Sequence, residues 1–198
     1  MAIPVLSLIL GTKTNADHRF IRDLPTLERV INTLKKKGKK IVLTQGVWDL
    51  IHEGHARYLE AAKSYGDILV VGLDSDELTR ARKGPNRPIV PEAERVQMLT
   101  HLRHVDIVTI RDVEHDIGHL VRLVRPDVLV TSTSTADFKE DLAAGTYRDF
   151  CKKIVTLPPQ ATTHTSARVR NLTMEGAEKL ADEVAKLTKD FIKRIRTA

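Results

Sequence analysis

The segment Ile41-Val42-Leu43-Thr44-Gln45-Gly46-Val47-Trp48-Asp49-Leu50-Ile51-His52-Glu53-Gly54-His55 runs from a short apolar strand, through a glycine-bearing turn, into the start of a helix. That helix is predicted over 54–65, with Tyr58, Leu59 and Ala62 facing inward. A strand end that feeds a helix N-terminus gathers unpaired backbone amides and the positive end of the helix dipole, which makes an anion site. Gly54 lets the backbone approach a ligand closely. His52 and His55 stand three residues apart, project to one side of the helix start and can donate to phosphate oxygens.

Outward from this segment, strands and helices alternate. Before it, Leu24, Leu27, Val30, Ile31 and Leu34 share one face of a helix over 24–37, which Gly38 ends. After it, Gly66 and Asp67 turn the chain into 68–73, a continuous apolar run suited to a strand covered on both faces. A short helix over 74–81, a loop at Lys83-Gly84-Pro85-Asn86-Arg87-Pro88 and a helix from Pro91 to Leu102 follow. Further strands are predicted at 105–110, 128–131 and 154–157, and helices at 115–124 and 137–151. Five strands separated by helices imply an α/β fold, a doubly wound parallel sheet with helices on both faces and right-handed crossovers. Ligands then sit outside the carboxyl ends of the strands, near a topological switch point. Residues 174–195 read as an amphipathic helix carrying Leu180, Val184, Leu187, Phe191 and Ile195, which covers the domain or pairs with a second subunit.

Composition narrows the class. The 198 residues are 41% hydrophobic and 29% charged, which suits one folded domain with appendages and argues against disorder. The apolar run at 3–10 is too short for a bilayer, which needs about 20 residues. It also lacks the basic lead and small-residue cleavage pattern of a secretory signal, so it reads as a surface strand, a dimer contact or a loosely packed leader. A single cysteine, Cys151, excludes an internal disulfide framework and a multi-cysteine zinc site, and the expected location is cytoplasmic. Lys and Arg outnumber Asp and Glu by 32 to 26, which suits nucleic acid, an anionic membrane or a phosphorylated small molecule. The basic clusters fall at helix ends, where the macrodipole favours them. With four Phe, three Tyr and one Trp there are few base-stacking platforms, so nucleic acid is disfavoured, and no membrane role is expected.

Other readings of the two histidines are open to the same residues. His-Glu-Gly-His lacks the four-residue spacing of a zinc-protease helix, so no metal ligands are assigned. The rings could instead be partly buried and satisfied by carbonyls. A dinucleotide-binding crossover is nearly closed, because no G-x-G-x-x-G follows the strand.

Gly46-Val47-Trp48-Asp49 followed by His52-Glu53-Gly54-His55 resembles the G-x-F-D-x-x-H-x-G-H signature of the cytidylyltransferase-like nucleotidyltransferases. From about 24 to 172 the chain is most similar to the adenylyltransferase half of the ADP-heptose synthases. The Gly-Lys-Lys after the first helix is shared, as are Gly72-Leu73-Asp74-Ser75-Asp76 and the stretch from Lys83 to Pro91 before Glu92 and Arg95. Arg125-Pro126-Asp127-Val128-Leu129-Val130 belongs to the same likeness, and His164-Thr165-Ser166-Ala167-Arg168-Val169-Arg170 is similar to the family's late hydroxyl motif. The resemblance implies a Rossmann-like sheet over 41–172, preceded by a leader and helix at 1–40 and followed by a C-terminal helix at 173–198. It also implies a homodimer.

In that family an acceptor phosphate attacks the α-phosphorus of a nucleoside triphosphate and pyrophosphate leaves. By resemblance, His52 and His55 contact the triphosphate and Lys83 bridges the acceptor phosphate and the α-phosphate from a loop. Thr165 and Ser166 hold the β- and γ-phosphates with Arg168 or Arg170 assisting, although helix capping explains the two hydroxyls equally well. Gly46, Val47, Trp48, Asp49, Gly54, Gly72, Asp74, Asp76 and Arg87 complete the expected nucleotide site. Mg²⁺ is expected to ride on the triphosphate rather than in a protein cage. Two departures leave the acceptor open: Thr131-Ser132-Thr133-Ser134-Thr135-Ala136-Asp137-Phe138 replaces a K-G-G-D-Y-like segment, and Gln45 stands where Asn is usual. The candidates are a sugar or polyol phosphate, a phosphocholine-like compound or FMN, with ATP or CTP as donor. The rival functions are a non-catalytic nucleotide-binding or sensor module and, further off, a basic RNA-binding protein.

Overall fold

The computed structural model describes residues 15–133, 147, 149–160 and 172–187. The chain forms two compact units, Met1–Gln160 and Ala161–Ala198. The first opens with α1 (Asn15–Arg19) and α2 (Leu24–Lys36). Asp23 caps α2 by accepting from Thr26 N–H at 2.9 Å, and Leu27 and Ile31 bury its apolar face. Then come β1 (Ile41–Gly46), α3 (Glu53–Lys63), β2 (Ile68–Asp74), α4 (Asp76–Lys83), α5 (Glu92–His101), β3 (Ile107–Arg111), α6 (His119–Val124), β4 (Val128–Ser132) and β5 (Lys153–Leu157).

All strand pairs are parallel, in the order β3-β2-β1-β4-β5. The β1–β2 register runs from Ile41 opposite Ile68 to Gly46 opposite Leu73, so Gly46 and Asp74 end their strands on one edge. Alternate residues feed two cores. Val42, Leu69 and Val71 pack with Tyr58, Leu59 and Leu99 on one face, while Ile41, Leu43 and Val70 pack with Leu27, Ile31 and Leu120 on the other. The sheet is therefore doubly wound and Rossmann-like. Its switch point lies between β1 and β4, and the crevice outside their carboxyl ends is where such sheets take ligands.

Two elements here differ from expectation. The helix expected over 115–124 is helical only at His119–Val124. Ahead of it the chain turns, with Asp112 N–H donating to His115 Nδ1 and His119 N–H to the Asp116 carbonyl. The short α1 was not foreseen: Arg19 donates to the carbonyls of Thr100, Leu102 and Val105 and so ties α1 to the end of α5. Residues 3–10 and most of 137–151 lie outside the described residues. In the second unit, helix α7 (172–187) exposes Leu172, Met174, Leu180, Val184 and Leu187. No helix among the described residues is long and apolar enough to cross a membrane.

Candidate active site

Beyond Gly46 the chain makes a turn in which Trp48 (φ 55°) and Leu50 (φ 44°) both take left-handed backbone conformations. Non-glycine residues seldom do so, and such strain concentrates at functional sites. Asp49 lies between them, turned inward and 6% exposed. Its carboxylate accepts from the Ile89 and Val90 backbone N–H groups at 3.0 Å each and from Arg87 Nη1 at 2.9 Å. Burial pushes the Asp49 carboxyl pKa up, but these donors outweigh burial and hold it below its ordinary value. Asp49 therefore pins the loop after Lys83 to the loop before His52.

His52 caps α3: its Nδ1 accepts from Gly54 N–H at 3.0 Å. That bond assigns the neutral ring's proton to Nε2. The His52 carbonyl accepts from His55 N–H at 2.9 Å and Ala56 N–H at 3.1 Å, closing the first turn. The His52 and His55 rings stack with centroids 4.1 Å apart, and Trp48 meets His55 edge-on at 5.5 Å. Two imidazoles thus stand side by side at the positive end of an eleven-residue helix.

A frame of cations surrounds the segments that Asp49 joins. Asp74, 0% exposed, takes Arg111 Nε and Nη2 on Oδ1 at 2.9 and 2.7 Å, and Arg82 Nη1 on Oδ2 at 2.6 Å. Arg95, 1% exposed, donates Nε to the Val90 carbonyl and Nη1 to the carbonyls of Val47 and Asp74, at 2.9, 2.5 and 2.9 Å. Its Nη2 reaches Asp76 Oδ1 at 2.6 Å. One buried guanidinium thereby joins the β1–α3 loop, the end of β2, the start of α4 and the loop before α5.

Lys83 closes α4, and Gly84 stops the helix at φ 96°, a value that glycine tolerates. Although Lys83 as a whole is exposed, partial desolvation of its ammonium and then the charge of Arg82 lower its pKa. Arg87 adds to that shift, while Asp74 and Asp49 oppose it. Among the described residues the Lys83 ammonium is bonded to none. Within this network of described residues, Arg82, Lys83, Arg87, Arg95 and Arg111 outnumber Asp49, Asp74 and Asp76, a surplus of positive charge among them. Stacked imidazole donors and surplus cations together suit a polyanion.

A family model described as Cytidylyltransferase-like matches residues 43–170. The chain belongs to the cytidylyltransferase-like family. A curated relative from Desulfatibacillum aliphaticivorans, named Bifunctional protein HldE, is 36% identical over 152 residues, covering 75% of this chain and 30% of the relative. A protein of the same name from Geobacter metallireducens is 46% identical over 110 residues, covering 56% of this chain and 22% of the relative. The chain thus spans less than a third of the length of these relatives. Among solved structures, the lipopolysaccharide core biosynthesis protein from Thermoplasma volcanium GSS1 is 30% identical with a TM-score of 0.53, covering 62% of this chain and 98% of that one. A pantoate-beta-alanine ligase from Francisella tularensis shares the fold at 17% identity and a TM-score of 0.54, covering 77% of this chain and 72% of that one.

Within this cytidylyltransferase-like chain, Gly46, Val47, Trp48, Asp49, His52, Gly54 and His55 all fall at the β1–α3 junction. Lys83 sits at a helix end rather than in a loop, a correction with a local cause. Ser75, not Asp74, is the N-cap of α4, its Oγ accepting from Leu78 N–H at 3.1 Å, so the helix starts and ends two residues later than expected. Gly72 answers to packing, because a Cβ there would lie 2.7 Å from Leu120 Cδ1 and 3.1 Å from Gln45 Cγ. The carboxylates of Asp74 and Asp76 hold guanidiniums, and Arg87 holds Asp49. Thr165, Ser166 and Arg168 lie outside the described residues. Arg95 pairs with Asp76 and not with Glu92, which instead takes Arg22 at 2.7 Å. Arg82 and Arg111 escaped the sequence reading. The available signal was an aspartate closing a fully apolar strand, since a buried carboxylate needs a cation.

Proposed function

We propose that this chain transfers a nucleoside monophosphate, AMP or CMP, from a Mg²⁺-bound nucleoside triphosphate to a small phosphorylated acceptor. An acceptor phosphate oxygen forms the new bond to the α-phosphorus. The bond from that phosphorus to the bridging oxygen breaks, and pyrophosphate leaves with the electron pair. The observation that carries this reading is the stacked pair of His52 and His55 at the N-terminus of α3. Beside it lies a loop tied by Asp49 to the cationic segment around Lys83. No covalent enzyme intermediate is needed, so the task is to align two polyanions and stabilise the charge on the leaving group.

His52 Nε2–H, set by the Nδ1 bond to Gly54, is assigned as a donor to a phosphate oxygen, and His55 stands beside it. The Lys83 ammonium spans acceptor and donor phosphates, and Thr165, Ser166 and Arg168 are assigned to the β- and γ-phosphates. Magnesium arrives as part of the nucleotide: Asp49 and Asp74 are already engaged by guanidinium groups and, for Asp49, by main-chain N–H groups. ATP is the first donor to try, because the chain resembles the adenylyltransferase half of the ADP-heptose synthases. The small hydroxyl residues at Thr131, Ser132 and Thr133 favour a polyol phosphate over heptose 1-phosphate.

The test mixes the chain and Mg²⁺ with ATP or CTP and a panel of sugar phosphates, polyol phosphates, phosphocholine and FMN, and follows pyrophosphate. One pairing is expected to release pyrophosphate in step with a nucleotidylated product. His55→Ala is expected to lower kcat by at least about a hundredfold, the cost of losing one preorganised donor, with an unchanged melting temperature. A thermal shift with nucleotide but no turnover on any acceptor would identify a binding module instead.

A further inference from the structure

We infer that Trp48 is a positioning residue that sets the His55 imidazole; the inference rests on the proposed nucleotidyl transfer. Two features at Trp48 each cost stability, and neither is needed merely to fill a core. Its backbone is left-handed at φ 55°, a strained state for a bulky residue. Its Nε1–H is buried and has no hydrogen-bond partner among the described residues, an exception among buried donors. An aliphatic residue on a relaxed backbone would bury apolar area at that place without the strain or the orphaned donor.

The compensation is visible in what the indole touches. Its ring lies 5.5 Å from His55 at 67° and 5.8 Å from Tyr58 at 50°. Tyr58 is itself tied to β1 through its hydroxyl and Thr44 Oγ1, 3.0 Å apart. A row of rings therefore runs from the sheet through Tyr58 and Trp48 to His55, and His55 also stacks with His52 at 4.1 Å. His55 touches both His52 and an indole that packs against Tyr58, which is tied to β1. A tilt of this ring displaces its donor relative to a phosphate oxygen, and errors of about 1 Å at such a centre cost on the order of a hundredfold in rate.

Trp48 is the chain's single tryptophan, so its emission reads this contact without a label. Indole emission responds to the group packed against its ring, so its intensity should step between the wild type and His55→Gln at one fixed pH. Emission unchanged in His55→Gln overturns the inference. In turnover, Trp48→Leu should lose between about tenfold and about a hundredfold in kcat, with KM for the Mg-nucleotide within about threefold. Trp48→Phe, which restores an aromatic edge and removes the orphaned N–H, should recover most of the loss. A phenylalanine variant as poor as the leucine variant overturns the inference, even if Trp48→Leu is also less stable. Should the wild type release no pyrophosphate with any acceptor, the functional reading fails separately, and the emission step alone decides whether Trp48 governs His55.

Discussion

Replacing Arg95 by methionine tests the frame beneath the site. The guanidinium is 1% exposed and serves three carbonyls, of Val47, Asp74 and Val90, as well as the Asp76 carboxylate. Methionine fills similar volume and removes every donor. Removing one partner of a buried ion pair costs about 3–5 kcal/mol. Asp76 retains 29% side-chain exposure and can recover water, which places its share at the low end. The carbonyls of Val47 and Asp74 are buried and have no such recourse. Each orphaned buried acceptor costs about 1 kcal/mol or more, and bonds to a charged donor are the stronger kind. A loss of about 4 kcal/mol is expected, a large part of the 5–15 kcal/mol that holds a domain together. For a chain of this size that means a melting temperature lower by roughly 8–16 °C.

The assay is thermal melting followed by circular dichroism, run beside Arg95→Lys. A lysine ammonium cannot present the planar fork that reaches four acceptors in four segments, so it should recover less than half of the loss. The loop before His52 and the loop after Lys83 both hang on this side chain, so kcat should fall in Arg95→Lys even well below its melting temperature. A methionine variant melting within about 3 °C of the wild type would refute the view that Arg95 holds these segments together.

Gly72→Ala should destabilise by about 1–3 kcal/mol in urea titration, because its methyl would meet Leu120 Cδ1 at 2.7 Å in a fully buried layer. Asp49 has a depressed carboxyl pKa, so its contribution is complete above the ordinary value of 3.8 and is lost as pH falls through the folded value. Asp49→Asn should therefore lower stability at neutral pH and flatten its fall below about pH 4, as followed by denaturant midpoints across pH. Lys83 has a lowered pKa, so its charge subtracts stability below the folded pKa, and that penalty fades as pH rises toward 10.5. Lys83→Met should melt no lower than the wild type at pH 7 while losing at least about tenfold in turnover; a clearly lower melting temperature would contradict the assignment of Lys83 to ligand rather than to structure.

The parts of the site that could be read from the sequence are the local ones. Fifteen consecutive residues from Ile41 to His55 contain the strand, the turn, the cap and both imidazoles, and the cap itself is local, His52 Nδ1 accepting from Gly54 N–H. The alternation of apolar runs likewise specified five strands, because a strand buried on both faces shows it in composition alone. Polar partnerships across the fold left no such trace. Arg95 has Glu92 three residues before it and takes Asp76, nineteen residues away, because the end of β2 and the start of α4 lie beneath it once the sheet has formed. Asp74 closes an apolar strand, yet only the β2–β3 register, which sets it opposite Arg111, reveals which cation meets it. Capping misled by two residues: Asp74 and Ser75 both suit a helix start, and the strand claimed the first.

The same comparison separates two kinds of residue in the site. Asp49, Asp74 and Arg95 have their polar atoms engaged by protein, and loss of any of them is paid in folding. Lys83 and Trp48 are the opposite: a desolvated cation among cations and a strained indole with an orphaned donor, each worse for the fold than a bland replacement. Asp74 and Asp49 offset part of the repulsion that Arg82 and Arg87 exert on Lys83, and a bound anion would offset more. A polyphosphate does this, and the stability it restores on binding is linked to its affinity. Pyrophosphate added to the chain should then raise the melting temperature, more at low ionic strength than at high, and the rise should shrink in Lys83→Met. A rise of equal size in Lys83→Met would place the anion elsewhere on this basic chain.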